Sequence, residues 1–252
     1  MGNMGGTRSI KGIAAPPFWP IERKLRPWTP KPSPGPHNAE QSLPLLVVLR
    51  DMLKYAETGK EAIKIINENK IKVDGRVVND YKYPLSVMDV LEIPENDEYY
   101  RVIPYPTDYL GLYKITKEEA SLKPVRIENK TIVKGGNLQL NLSGGRNILV
   151  KFKEGEKKEV PYKTLDTLLI TLPNQEIKEH IPFQIGDYAL VIWGKNVGKL
   201  GKIVSVNKQW GRKSSTVTLE GKSGRKIQTI LDYILIVGKE KPVISLPGEI
   251  EL

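Results

Sequence analysis

The chain has no cysteine among its 252 residues. Disulfides, thiolate metal sites and cysteine nucleophiles are thereby excluded, which suits a reducing interior and makes the cytoplasm the expected location. Long hydrophobic runs are missing too. No stretch approaches the roughly 18 apolar residues of a spanning helix, and neither a Lys-rich amphipathic anchor nor a lipidation signal is visible, so no membrane partner is expected. Histidine occurs only as His37 and His180, far apart and without a companion at a spacing such as His-x3-His, so no metal is assigned. Both candidate nucleotide loops fail. Leu200 follows Gly194 to Lys199 where the phosphate-loop pattern needs Ser or Thr, and Thr216 stands where a second copy ending at Gly221-Lys222-Ser223 needs glycine. Carboxylates such as Asp89 and Glu92 are scattered through turns and caps, and there is no Gly-x-Ser-x-Gly elbow. No enzyme, cofactor or small-molecule substrate is indicated.

What the chain has in excess is positive charge. Lys and Arg number 39 against 29 Asp and Glu, a net charge of +10, and the pI is near 9.5. Such a surface attracts polyanions, of which nucleic acid is the commonest. The length allows two or three small domains, and the expected class is α+β, multidomain.

Residues 1–42 read as a basic, Pro-rich arm without the periodicity that builds a core. Arg8, Lys11, Arg23, Lys24, Arg26 and Lys31 face only Glu22 and Glu40 there. Phe18, Trp19 and Trp28 beside these cations can stack on bases, so the arm is expected to order on binding RNA, with His37 as a further contact.

Residues 43–98 form the second expected unit. Ser42 can cap a helix carrying Leu45, Leu49, Met52, Leu53 and Ala56 at helical spacing. Thr58-Gly59-Lys60-Glu61 makes a capping box for a second helix with Ala62, Ile65 and Ile66 inward, and Asn69 can end it. Ile71 to Val78, turning at Asp74-Gly75, is a hairpin, and Val87 to Ile93 alternates as a strand. Residues 99–175 are expected to be mostly β, with short apolar runs between turns and one small helix capped by Thr116, and no site chemistry stands out in them.

In residues 176–240, Gly186 to Val206 reads as a small barrel's first hairpin. Gly194, Gly198 and Gly201 supply positive φ, and Lys195, Asn196, Lys199 and Lys202 surround an open tip. Thr216 to Leu219 and Ile227 to Val237 complete the unit. Lys208 to Lys213, with Arg212 and Trp210, can form a second basic loop, and residues 241–252 are a tail.

Gly186-Asp187 and Gly201 in that hairpin resemble the KOW motif of ribosomal proteins and elongation factors, an SH3-like barrel. Residues 43–98, with Ile71 to Val78 after the second helix and Met88-Asp89-Val90-Leu91 later, resemble the S4-type RNA-binding module. That resemblance implies RNA contacts at Arg50, Lys54, Lys60 and Lys64, although a charged helix face equally keeps a helix soluble. Thr58-Gly59-Lys60 replaces the Ser-Arg usual in the module, leaving a lysine where an arginine fork would sit.

The order of parts, with Pro32-Ser33-Pro34-Gly35-Pro36-His37, Leu53-Lys54-Tyr55-Ala56, Asn196-Val197-Gly198 and Ile244-Ser245-Leu246-Pro247-Gly248, is similar to the ribosomal S4e family of the archaeal and eukaryotic small subunit. The family implies a structural protein in the ribosome whose partners are small-subunit ribosomal RNA and neighbouring ribosomal proteins. The short form and lack of cysteine lean toward an archaeal member. An RNA-modifying enzyme anchored by the S4-like module, or a KOW-type elongation factor, are the competing classes. The first lacks room for a catalytic domain in residues 99–175, and the second does not explain the arm.

Overall fold

The computed structural model describes residues 9–151, 161–209, 214–221, 223–239 and 241–248. Three five-stranded antiparallel sheets dominate it, with few and short helices.

In the first sheet the strands Arg76–Val77, Lys72–Val73, Val90–Ile93, Glu98–Ile103 and Gly111–Lys114 follow in that order. The expected Asp74-Gly75 turn forms, with φ of 51° and 76° at its two centres, the left-handed pair a tight hairpin requires. The sheet continues past the boundary expected after residue 98, because Glu98–Ile103 pairs with Val90–Ile93.

The second sheet runs Arg146–Val150, Leu138–Leu142, Leu122–Ile132, Thr167–Thr171, Ile177–Ile181. Its long central strand bonds Thr167–Thr171 along its first half and Leu138–Leu142 along its second, with a register shift between Ile127 and Asn129. The third sheet is ordered Lys226–Ile230, Thr216–Glu220, Leu200–Asn207, Tyr188–Val191, Ile234–Gly238. The strand expected over Ile227 to Val237 is broken by a 3-10 turn at Leu231–Tyr233, which lets its second half cross to pair with Tyr188–Val191.

Both faces of Tyr188–Val191 are buried. Ala189 and Val191 pack with Ile203, Val217 and Leu219, whereas Leu190 joins Met88 and Ile103 of the first sheet's unit. Ile244 of the tail enters that second cluster.

Two expectations are corrected near the N-terminus. Residues 9–42, expected to lack a core, pack against the rest of the chain. Ser9–Lys11 pairs with Trp28–Pro30, and Ala15 and Trp19 enter the same core as Leu43, Leu45, Leu49 and Leu85. A segment with too few apolar residues for a core of its own can still borrow a neighbour's.

Ser42 also does not cap a helix. It is buried, its hydroxyl has no hydrogen-bond partner among the described residues, and the helix starts three residues later, with Leu45 and Leu46 donating to the carbonyls of Tyr83 and Tyr81. Backbone acceptors satisfy the orphan N–H groups that a serine side chain was expected to meet. That helix widens after Leu45–Val47 into a π-turn over Val48–Met52, where Leu53 donates to Val48, and Lys54 then turns left-handed at φ 56°.

Candidate nucleic-acid interface

The helix Gly59–Asn67 follows the sequence reading closely. Glu61 donates its amide to Thr58 Oγ1, and its carboxylate accepts from the amides of Thr58 and Glu57, closing the capping box. These bonds pull the Glu61 carboxyl below its ordinary pKa. Ala62 and Ile66 point inward, and Lys60 and Lys64, one turn apart, are exposed. Asn69 at φ 59° ends the helix. Lys11, Lys24, Lys31, Lys54 and Lys195 are exposed as well.

Other residues expected to contact RNA have partners within the protein. Trp19 is only 3% exposed and its Nε1 donates to the Ser42 carbonyl at 3.1 Å, so it cannot stack on a base. Arg23 donates to the carbonyls of Ile13, Ala15 and Pro16, tying the arm to itself. Arg26 donates to Glu57 O at 2.8 Å, and Arg50 forks onto both oxygens of Asp51. His37 Nε2 lies 2.8 Å from Asp89 Oδ2 and is nearly buried. Arg8, Trp210 and Arg212 lie outside the described residues.

The tip of the third unit's hairpin is not open. Asn196 donates to Gln228 O and accepts from Lys199, while Val197 and Gly198 are buried. A Cβ at Gly198 would sit 2.6 Å from Pro106 N, so glycine is needed there for close approach as well as for φ of 74°. Gly201, expected to supply positive φ, does not. It is needed instead for its closeness to the facing strand, since a Cβ at this position would lie 2.9 Å from Glu220 O.

Sequence reasoning missed a buried ionic cluster where the units meet. Lys123 of the second sheet reaches Asp74 at 2.6 Å and also bonds Asp89, both on the first unit. Arg146 donates at 2.6 Å to the same Asp74 oxygen, Oδ2, while Oδ1 accepts from the Val90 amide. Burial alone would raise the Asp89 pKa, but Lys123 and His37 overcome it and hold the carboxyl far below the usual carboxylate range. Against its own desolvation, the Lys123 ammonium is held above its ordinary value by Asp89 and Asp74.

Arg101, wholly buried, donates to Glu119 Oε1 and to the carbonyls of Glu119 and Leu122. The one sequence trace of these cations is that each interrupts an apolar run, Lys123 between Leu122 and Pro124-Val125, Arg101 before Val102-Ile103. Among the described residues no cluster suits a metal, and no helix is long and apolar enough to cross a membrane.

Residues 96–177 match the model of the ribosomal family S4e, residues 43–91 the S4 domain, and residues 4–40 the RS4NT (NUC023) domain. The small ribosomal subunit protein eS4 of Aeropyrum pernix is 54% identical over 248 residues, 98% of each chain. That of Methanocaldococcus jannaschii is 45% identical, covering 98% of this chain and 100% of its own. A crystal structure of the 30S ribosomal protein S4e from Thermoplasma acidophilum superposes with a TM-score of 0.65 at 32% identity, over 79% of this chain and 96% of that one.

Proposed function

The chain belongs to the ribosomal S4e family, and from that membership we propose how it works as a protein of the small ribosomal subunit in the cytoplasm. It binds ribosomal RNA and supports assembly of the subunit, with neighbouring ribosomal proteins as its other partners, and no catalytic activity is part of the reading. The observation that carries this is a likeness at 54% identity running through 98% of both chains. The archaeal relatives agree with the lean drawn from composition.

The exposed lysines are the RNA contacts we favour: Lys11, Lys24 and Lys31 on the arm, Lys54, Lys60 and Lys64 on the S4-like unit, and Lys195 on the third unit. Dispersed point charges on a rigid β scaffold position phosphates and sugars without reading base edges, so shape dominates recognition. We take the units as 9–42 with 43–115, 116–182 and 183–238, the last built as a KOW-type barrel, since these groupings follow the sheets.

The test is co-sedimentation with ribosomal particles on sucrose gradients through graded salt. The protein should stay on the small subunit in moderate salt and leave in high salt, because phosphate contacts weaken steeply as counterions compete. A position at the top of the gradient at every salt concentration would refute the proposal.

A further inference from the structure

A groove of about 380 Å³ lies between the arm and the bend that follows the π-turn. Trp28, Leu25 and Thr29 line it from the arm, Arg50 from the π-turn, and Lys54 and Glu57 from the bend. Arg26 Nη2 spans the two walls by its bond to Glu57 O. Its volume falls in the range of small-ligand sites.

Three observations bear on what fits. Trp28 is 53% exposed although it sits in a paired strand. Lys11 Nζ lies over the indole, 3.8 Å from the ring centroid, so the ring already holds a cation on one face and offers the aromatic surface that stacking uses. Finally, the charges around the groove cancel, Arg26, Arg50 and Lys54 standing against Glu22, Asp51 and Glu57. A phosphate gains little inside such a lining. A flat, uncharged aromatic group with a polar edge gains most.

We propose that this groove receives one unstacked base of the RNA, stacked on the exposed indole of Trp28 on the face opposite Lys11. The inference rests on the ribosomal-RNA reading and adds a base-stacking site to a surface otherwise read as phosphate-directed. Lys24 and Lys54, both exposed, flank the site for the nucleotide's phosphates.

The experiment measures binding of the full chain to small-subunit ribosomal RNA across a salt series, for the wild type, Trp28→Leu and Trp28→Phe. Circular dichroism confirms that each variant is folded. Trp28→Leu should weaken binding by roughly 5- to 100-fold, the span of one lost stack. The slope of affinity against salt should not change, since no phosphate contact is removed. Trp28→Phe should restore most of the loss.

Affinity of Trp28→Leu within two-fold of wild type, or a loss accompanied by a shallower salt slope, would overturn the base-stacking site while leaving the ribosomal reading intact. Failure of the wild type to bind the RNA at any salt concentration would instead remove the reading itself, and the proposal with it.

Discussion

Replacing Lys123 with methionine removes the cation shared by two buried carboxylates. Lys123 is 2% exposed, and Asp74 and Asp89 are 5% and 1% exposed, so water cannot take over its bonds. Breaking a buried ion pair from one side costs about 3–5 kcal/mol. Arg146 still meets Asp74 and His37 still meets Asp89, which places the loss near the lower end, about 3 kcal/mol. Set against a typical total of about 5–15 kcal/mol, that is a large fraction of the whole. Because Lys123 belongs to the second sheet and both aspartates to the first unit, the loss should also loosen the junction between them. Urea unfolding followed by far-ultraviolet circular dichroism should show a lower midpoint for Lys123→Met. Lys117→Met, at an exposed helical position, should stay within about 0.5 kcal/mol of wild type. A loss below about 1 kcal/mol for Lys123→Met would refute the argument that this cation offsets the burial of both carboxylates.

Two further outcomes follow from the same geometry. Gly198→Ala forces a side chain into left-handed backbone against Pro106 and should destabilise by about 1–3 kcal/mol, seen as a lower unfolding midpoint. Gly224→Ala, with a similar φ but open space around it, should cost less. The Asp89 carboxyl is depressed in the folded state, so its contribution is complete above the ordinary carboxylate range and fades as pH falls below it. The stability gap between wild type and Asp89→Asn should therefore narrow between about pH 5 and pH 2, whereas a constant gap in denaturation curves over that range would argue against the coupling.

Local order was legible wherever a few adjacent residues decide it. Thr58 and Glu61 specify a capping box, Asp74-Gly75 specifies a left-handed turn, and Thr116 starts a short helix. Each outcome depends on hydrogen bonds within four residues, so sequence spacing is enough. The basic excess and the family-like stretches likewise pointed to the ribosomal small subunit before any geometry was known.

The tertiary structure decided which of the cations and aromatics face outward. Trp19 and Trp28 sit in the same Pro-rich segment, yet one fills the core beside Leu43 and the other stands over a groove. Asp74, Asp89, Lys123 and Arg146 are spread over 73 positions, from 74 to 146, and only the apposition of two sheets makes them one cluster. Burial and long-range charge pairing depend on distances that close when separate units pack, and no local pattern encodes those distances.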